Sequence, residues 1–286
     1  MTDQSAPGVQ SVHRALDVLE AVTRSGPLGV NQIAQAVDLS PSTAHGLIRT
    51  LTVRGYLSRV PTGYAVGPAA LGLTVGHDRA ADLSLHLEPL LTELTARTQL
   101  ATTATMLVGR EARIVASTPS PGAIAMHVTG HGWKDPLELA TGWVLVALGD
   151  PGLWGGVIAR TQQAPRLYPS WREVFAQVRR AGVAFRPNRD PRGAISIALP
   201  VLGHGGEAVC AIGLFAPAYL ALDVMNHTTL DALWATCAQA STLFGGVLPR
   251  PPDPDFTALR RHLPDELLRA DELEPPRTTL AKETTR

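Results

Sequence analysis

Residues 30–66 constrain this chain more than any other stretch. A short helix over Asn31–Val37 is followed by a tight turn at Asp38-Leu39 and a second helix opened by Ser40-Pro41. Ser40 supplies an N-cap acceptor, and Pro41 fits the first helical position, where no amide donor is needed. The second helix closes at Arg54-Gly55, because glycine suits the left-handed residue just past a helix end. Tyr56–Val60, a Pro61-Thr62-Gly63 turn and Tyr64–Val66 then predict a hairpin. Two short helices, a turn and a hairpin in this order make a winged helix-turn-helix, an arrangement that lays its second helix in a DNA groove.

The second helix separates into faces. Ala44, Leu47, Ile48 and Leu51 recur at i, i+3, i+4, i+7 and point inward. Ser42, His45, Gly46 and Arg49 fall on another side. Ala34 is small enough for a close helix crossing, and Asp38 tolerates turn backbone. Upstream, Val12, Ala15, Leu16, Leu19 and Val22 form an apolar stripe expected to cover the pair. The same pattern also serves as a three-helix structural subdomain, or as a sensor or adaptor module that binds protein instead of DNA.

Twenty-five basic and 25 acidic residues cancel, so the 286-residue chain is not a polycation. Its N-terminal part is weakly basic: Arg14, Arg24, Arg49, Arg54, Arg59 and Arg79 face Asp3, Asp17, Glu20, Asp38 and Asp78. Phosphate neutralisation supplies most nonspecific DNA affinity, so this balance weighs against the DNA reading, and dimerisation would offset it by doubling the cationic surface offered to one site. Cys210 and Cys237 sit in apolar patterns and are expected to be buried thiols of a reducing cytoplasm. The polar first residues predict no signal peptide. The longest apolar stretch, Trp143–Ala159, is broken by Gly149-Asp150-Pro151-Gly152, so no membrane span is expected.

The length predicts more than one domain. A winged module over 11–67 leads into a linker helix over 68–82, helical from Pro68 to about Gly76. Residues 83–247 alternate helices and strands. Leu83–Thr98 is helical, with Pro89 either kinking it or marking its start. Ala101–Val108, Ala112–Ser117, Ile124–Thr129, Val183–Phe185, Ala194–Leu199 and Ala208–Phe215 are strands. Pro136–Leu148, Trp171–Ala181 and Val224–Phe244 are helices, the last with Leu230, Leu233, Trp234, Cys237 and Leu243 inward. Helices flanking an antiparallel sheet give an α+β domain. Residues 248–286, rich in proline and charge, are expected to be a solvated tail, although Phe256, Leu259, Leu263 and Leu267 keep helical spacing.

Several segments carry a resemblance over about residues 11 to 247. They are Ser11–Leu19, Ser42-Thr43-Ala44-His45, Arg54-Gly55-Tyr56-Leu57, Tyr64–Pro68, Pro136-Leu137, and the Gly182 to Gly193 spacing before a strand ending Ala198-Leu199-Pro200-Val201. In their order and spacing the chain resembles the IclR family of bacterial transcriptional regulators. The resemblance implies a cytoplasmic dimer or tetramer, with an N-terminal reader of double-stranded operator DNA. It also implies a C-terminal GAF-like α+β sensor domain whose small-molecule effector alters operator affinity, more often in repression than activation. On the reader it points to Ser42, Thr43, His45, Arg49 and, on the wing, Arg59.

The chain departs from the family pattern in places. Pro41 stands near a commonly basic position, and Gly46 where an arginine often follows the histidine. Arg49 is thereby the best candidate for base readout. Gly46 admits close approach of backbone to DNA, or it marks a tolerant position. In the sensor, Glu138 replaces a usual histidine, Gly193-Ala194-Ile195-Ser196 replaces a polar run, and Gly213 and Phe215 stand where serines are frequent. The usually acidic run after Phe185 holds Arg186, Arg189 and Arg192, with only Asp190 negative. Met106, Trp133, Glu138, Arg186, Ser196, Gly213 and Phe215 are the candidate effector residues. They suit an apolar or aromatic carboxylate paired with Arg186; otherwise the arginines are a solvated loop.

Enzyme chemistry finds no signature: there is no nucleophile elbow, Walker loop or Rossmann fingerprint. His127 and His131 flank a strand end without further ligands, and His204 lies in a glycine turn, so neither a metal nor a cofactor is expected.

Overall fold

The computed structural model describes residues 8–73, 79–121, 132–133, 135–163, 169–186, 194–224, 226–252 and 254–256. It divides into two compact units, residues 1–79 and 80–286. The Ile124–Thr129 strand expectation, His127, His131, Arg189, Asp190, Arg192 and Gly193 lie outside the described residues.

The first unit holds helices α1 (Gln10–Ser25), α2 (Val30–Ala36) and α3 (Pro41–Val53), strands β1 (Leu57–Val60) and β2 (Gly63–Val66), and helix α4 (Pro68–Gly72). Its core is Val18, Val22, Ile33, Ala34, Ala44, Ile48 and Leu57. Asp38 takes the positive φ of 49° between α2 and α3, as the turn requires. Past α3, Gly55 adopts φ 74°, and the Tyr56 amide donates to the Leu51 carbonyl at 2.8 Å. The wing pairs Leu57 with Val66 through Val60 with Gly63. A bridge between Leu28 and Tyr64 ties it to the chain ahead of α2. Gly63 has φ +139°, and any Cβ there would lie 2.4 Å from the Leu28 carbonyl oxygen, so only glycine fits.

The α1 stripe corrects the expectation. Val18, Ala21 and Val22 are buried, whereas Val12 and Leu16 are 55% and 51% exposed. The helix carries apolar residues on two sides. Of the expected stripe, Val22 is in the core and Leu19 packs against it, whereas Val12 and Leu16 in the first half of the helix stay in solvent.

The second unit begins with α5 (Arg79–Thr98), which runs through Pro89 without interruption. Strands β3 (Ala101–Val108), β4 (Glu111–Thr118) and β5 (Gly132–Trp133) follow, then α6 (Ala140–Leu148), α7 (Trp154–Ile158) and α8 (Trp171–Ala181). Strands β6 (Ala184–Arg186), β7 (Ala194–Leu202) and β8 (Ala208–Pro217) lead to α9 (Ala221–Val224) and α10 (His227–Leu243). The sheet is antiparallel in the order β5-β4-β3-β8-β7-β6. This is an α+β architecture.

Helices cover both faces of that sheet. Leu83, Leu87, Leu91 and Leu94 of α5 and Leu230, Leu233, Cys237 and Ala240 of α10 share a core with Ala104, Ile197, Leu199, Ile212 and Leu214. On the other face α6 and α8 pack Val144, Val174 and Phe175 against Ala184, Ala198 and Ala211. The strands present mostly bulky residues to the first pair and small ones to the second, so α6 lies close to the sheet. Cys210 and Cys237 are free and buried. Burial, and the neighbouring Cys210, push the Cys237 thiol well above its usual value.

Three expectations differ from what folds. The Pro136–Leu148 helix divides into a 3-10 turn at Pro136–Glu138 and α6 proper. Leu243 is 57% exposed, because in the last turn of α10 it is Ala240, Ser241 and Phe244 that face the core. The chain beyond Gly246 is not solvated throughout: Leu248 and Phe256 are buried. The Trp234 indole donates to the Pro249 carbonyl at 3.3 Å, and Arg250 pairs with Asp231 at 2.6 Å while lying over the Trp234 ring. Leu248–Arg250 and Phe256 therefore dock along α10.

Deleting the buried Ile48 side chain opens a cavity at the centre of the first unit. In hydrogen exchange of the intact protein, Ile48→Ala is expected to lower the opening free energy of α2 and α3 by about 2–5 kcal/mol. Exposed Gln35→Ala is expected to change it by less than about 0.5 kcal/mol. Equal effects would contradict this core.

Candidate nucleic-acid interface

The outward side of α3 is assembled by its cap and its core. The Thr43 amide donates to Ser40 Oγ at 3.2 Å, which satisfies one of the free donors of the first turn. Ser40 Oγ also bonds to Ser42 Oγ at 3.0 Å and Thr43 Oγ1 at 2.8 Å, joining three hydroxyls at the helix entrance. Ala44 and Ile48 are fully buried, which turns Ser42, Thr43, His45, Gly46, Arg49 and Thr50 to solvent. From Ser42 to Arg49 the helix rises about 10 Å, the length of about three base steps.

Among the described residues, no hydrogen bond or ion pair holds the guanidinium of Arg49 or of Arg59. Arg59 is exposed on β1 of the wing, opposite Tyr64. The five residues expected on the reader thus lie on exposed surface of one unit, four on α3 and one on the wing. Thr50 and Val53, also exposed on α3, escaped the sequence analysis. Their signal was present in the spacing 43, 46, 50, 53, which continues one line along a helix.

The sensor candidates are only partly brought together. Register places Arg186 opposite Ser196, Ser196 opposite Phe215, and Phe215 opposite Ala101, a row across four strands. Alternation along β6 puts Arg186 on the same face as Ala184, which packs under α6 and α8. Gly213 stands two pairs along on the same face, between Thr103 and Ala198. A Cβ at Gly213 would lie 2.8 Å from Thr141 Cγ2. That glycine therefore admits α6 to the sheet, where the Thr141 hydroxyl donates to Thr105 Oγ1 at 2.9 Å.

Met106 does not join this row. It belongs to the core under α5 and α10, on the opposite face. Trp133 pairs with Ala112, which pairs in turn with Leu107, six residues along β3 from Ala101 and so about 20 Å away. Glu138 stands ahead of α6, where its carboxylate accepts from Gln163 Nε2 at 3.3 Å. A separate open cleft of about 720 Å³ lies between Arg97–Leu100 at the end of α5 and Asp223–Ala232 around the start of α10. Among the described residues no cluster of three or more His, Cys, Asp or Glu could hold a metal, and no helix is long and apolar enough to cross a membrane.

A capped, outward-facing helix backed by a β-hairpin wing, ahead of a separate α+β unit, is the build of a DNA-binding transcriptional regulator. The model of the IclR helix-turn-helix domain matches residues 11–61. The regulator XynR of Escherichia coli K12 is 30% identical over 223 residues, covering 73% of this chain and 86% of XynR. The transcriptional repressor IclR of the same organism is 26% identical over 257 residues, covering 84% of this chain and 91% of that one. The crystal structure of a candidate IclR regulator from Silicibacter sp. TM1040 shares the fold, with a TM-score of 0.61 at 21% identity over 86% of this chain and all of the other. The chain belongs to the IclR family of transcriptional regulators, whose members here are regulators, not enzymes.

The hydroxyl of Ser40 holds the entrance of α3. Ser40→Ala is expected to lower the stability of α3 by about 1 kcal/mol, read by hydrogen exchange, while Ser40→Asp retains it. Loss of protection in both variants would show that capping is not the role of this side chain.

Proposed function

We propose that this regulator is a repressor whose grip on operator DNA is set by a small-molecule effector. Residues 11–67 act as the reader, 68–82 as the linker through which subunits pair, and 83–247 as the GAF-like sensor. On the reader, Arg49 contacts a guanine edge, Ser42, Thr43 and His45 reach phosphates or base edges nearby, and Arg59 of the wing contacts phosphate. The observation that carries this is the outward side of α3, where Arg49 projects beside His45 with no partner among the described residues. Self-association as a dimer or tetramer sets two readers at half-site spacing.

The effector binds over the row Arg186–Ser196–Phe215. An aromatic ring, a hydroxyl and a guanidinium in adjacent register positions suit an apolar or aromatic carboxylate. Gly213 lies two pairs along the same face, and Glu138 would reach this site from ahead of α6. Met106 and Trp133 have no part in it, given their places in the sheet.

Binding to the protein's own upstream DNA, measured by gel shift against random duplex, tests the reader. Arg49→Ala is expected to weaken specific binding by about 1–3 kcal/mol more than nonspecific binding. Arg59→Ala is expected to weaken both alike and to reduce the salt slope by about 1. Uniform weakening by Arg49→Ala would confine that side chain to phosphate. For the sensor, benzoate and phenylacetate are expected to shift the melting temperature of the native protein but not of Arg186→Ala. An unchanged response in the variant would remove Arg186 from the site.

A further inference from the structure

We propose that Gly46 is the floor of a shallow apolar hollow on α3 that receives a thymine 5-methyl group, making the missing side chain a determinant of operator sequence. This rests on α3 being the helix that reads DNA. Glycine is a poor helix former, and an exposed position inside a helix gains from alanine. Gly46 has ordinary helical backbone, and a Cβ built on it meets nothing within 4 Å. Neither backbone geometry nor packing within the chain requires glycine there. What it accommodates lies outside the chain, on the side of α3 that faces the groove.

The neighbours define the chemistry of that hollow. Thr43 lies one turn before Gly46, and its hydroxyl is engaged with Ser40 Oγ at 2.8 Å. Thr50 lies one turn after, and its hydroxyl donates to the Gly46 carbonyl at 3.0 Å. Both threonines are exposed with their polar atoms bound locally, so each offers its methyl group to solvent. Val53 continues the line and is 80% exposed, an apolar side chain that the core of the first unit does not use. Residues 43, 46, 50 and 53 therefore form an apolar edge along α3. Beside it, one residue earlier at each step, Ser42, His45 and Arg49 form a hydrogen-bonding edge.

The major groove presents the matching pair. Guanine offers O6 and N7 to an arginine, and thymine alone offers a methyl group that threonine methyls and other apolar surface contact. A bare Cα flanked by two methyls receives that group at closer range than an alanine would allow. Cytosine in the same place leaves the hollow empty.

Binding sites selected by the full-length protein from a random duplex library supply the probe. Each thymine of the enriched half-site is then replaced singly by deoxyuridine, which keeps base pairing and removes only the methyl. One position per half-site is expected to lose affinity roughly fourfold, the worth of one buried methyl group. Gly46→Ala is expected to melt no lower than the parent yet to bind the selected site more weakly, with the thymine–deoxyuridine difference below twofold. Thr50→Ser, which keeps the bond to the Gly46 carbonyl and deletes the methyl, is expected to shrink the same difference. The proposal is overturned if no deoxyuridine substitution changes affinity by more than twofold, or if Gly46→Ala keeps the full methyl preference. A library that enriches no sequence at all would overturn α3 as the reading helix, and this proposal with it.

Discussion

The rotation of α3 about its own axis is the constraint on which the reading surface depends. Ala44 and Ile48 are fully buried against Val18, Val22, Ile33 and Leu57, and a helix turns by about 100° per residue. A shift of one position would carry Ile48 out of the core and bring Arg49 towards it. Burying an arginine without a partner is far costlier than any surface contact is worth, so the core admits only one rotation. The cap at Ser40 fixes where the helix begins, and the turn at Gly55 fixes where it stops. The side chains available to DNA follow from these three conditions.

The sensor unit is arranged around closeness in place of rotation. Gly213 leaves room for Thr141, and Gly142 leaves room for the Pro136 carbonyl, 1.9 Å from where a Cβ would stand. Both glycines seat α6 against its surroundings. Arg179 of α8 then donates to the Ala147 and Gly149 carbonyls at the end of α6 and lies over the Trp154 ring. The free carbonyls of that last turn are met by a cation, as the helix dipole favours. On the other face, Thr102 bonds across to Thr95 of α5 at 2.9 Å, so each helix layer is joined to β3 by a buried hydroxyl pair. A side chain on β3 thus belongs to one layer or the other by parity alone.

That parity explains what could and could not be foreseen. The limits of α3 were legible because Ser40-Pro41 and Arg54-Gly55 act locally, through caps that need no tertiary partner. The hairpin was legible for the same reason. Met106 was not, because Ala101–Met106 is buried throughout and shows no alternation of polar and apolar residues. Only the helix on each side tells which face a residue joins. The α1 stripe misled in its first half for a related cause: Leu19 and Val22 pack with Val18 against Ile33 and Ile48, and Val12 and Leu16 lie beyond their reach. The docking of Leu248–Arg250 was hidden by the prolines around it, although Trp234 and Arg250 are the kind of pair that holds an irregular segment without secondary structure. The departures at Gly46 and Gly213 look alike in sequence and differ in cause. One is demanded by a neighbouring side chain, and the other by nothing in the protein.

Charge sharpens the consequence for recognition. Between residues 8 and 73, five arginines face three carboxylates, and the chain as a whole is neutral. A reader with so few cations makes few phosphate contacts, and phosphate contacts supply most of the affinity that any DNA sequence enjoys. A single reader of this charge is therefore expected to hold unrelated DNA weakly. On the proposed reading, discrimination comes from short-range contacts on the outward side of α3: hydroxyls organised by the cap, one imidazole, one guanidinium and the methyl-lined edge beside them. Such contacts depend on fit at the base edges and respond little to salt. A regulator that reads DNA in the proposed way gains selectivity from the rotation of one helix, and the burial of Ala44 and Ile48 then governs function as much as stability.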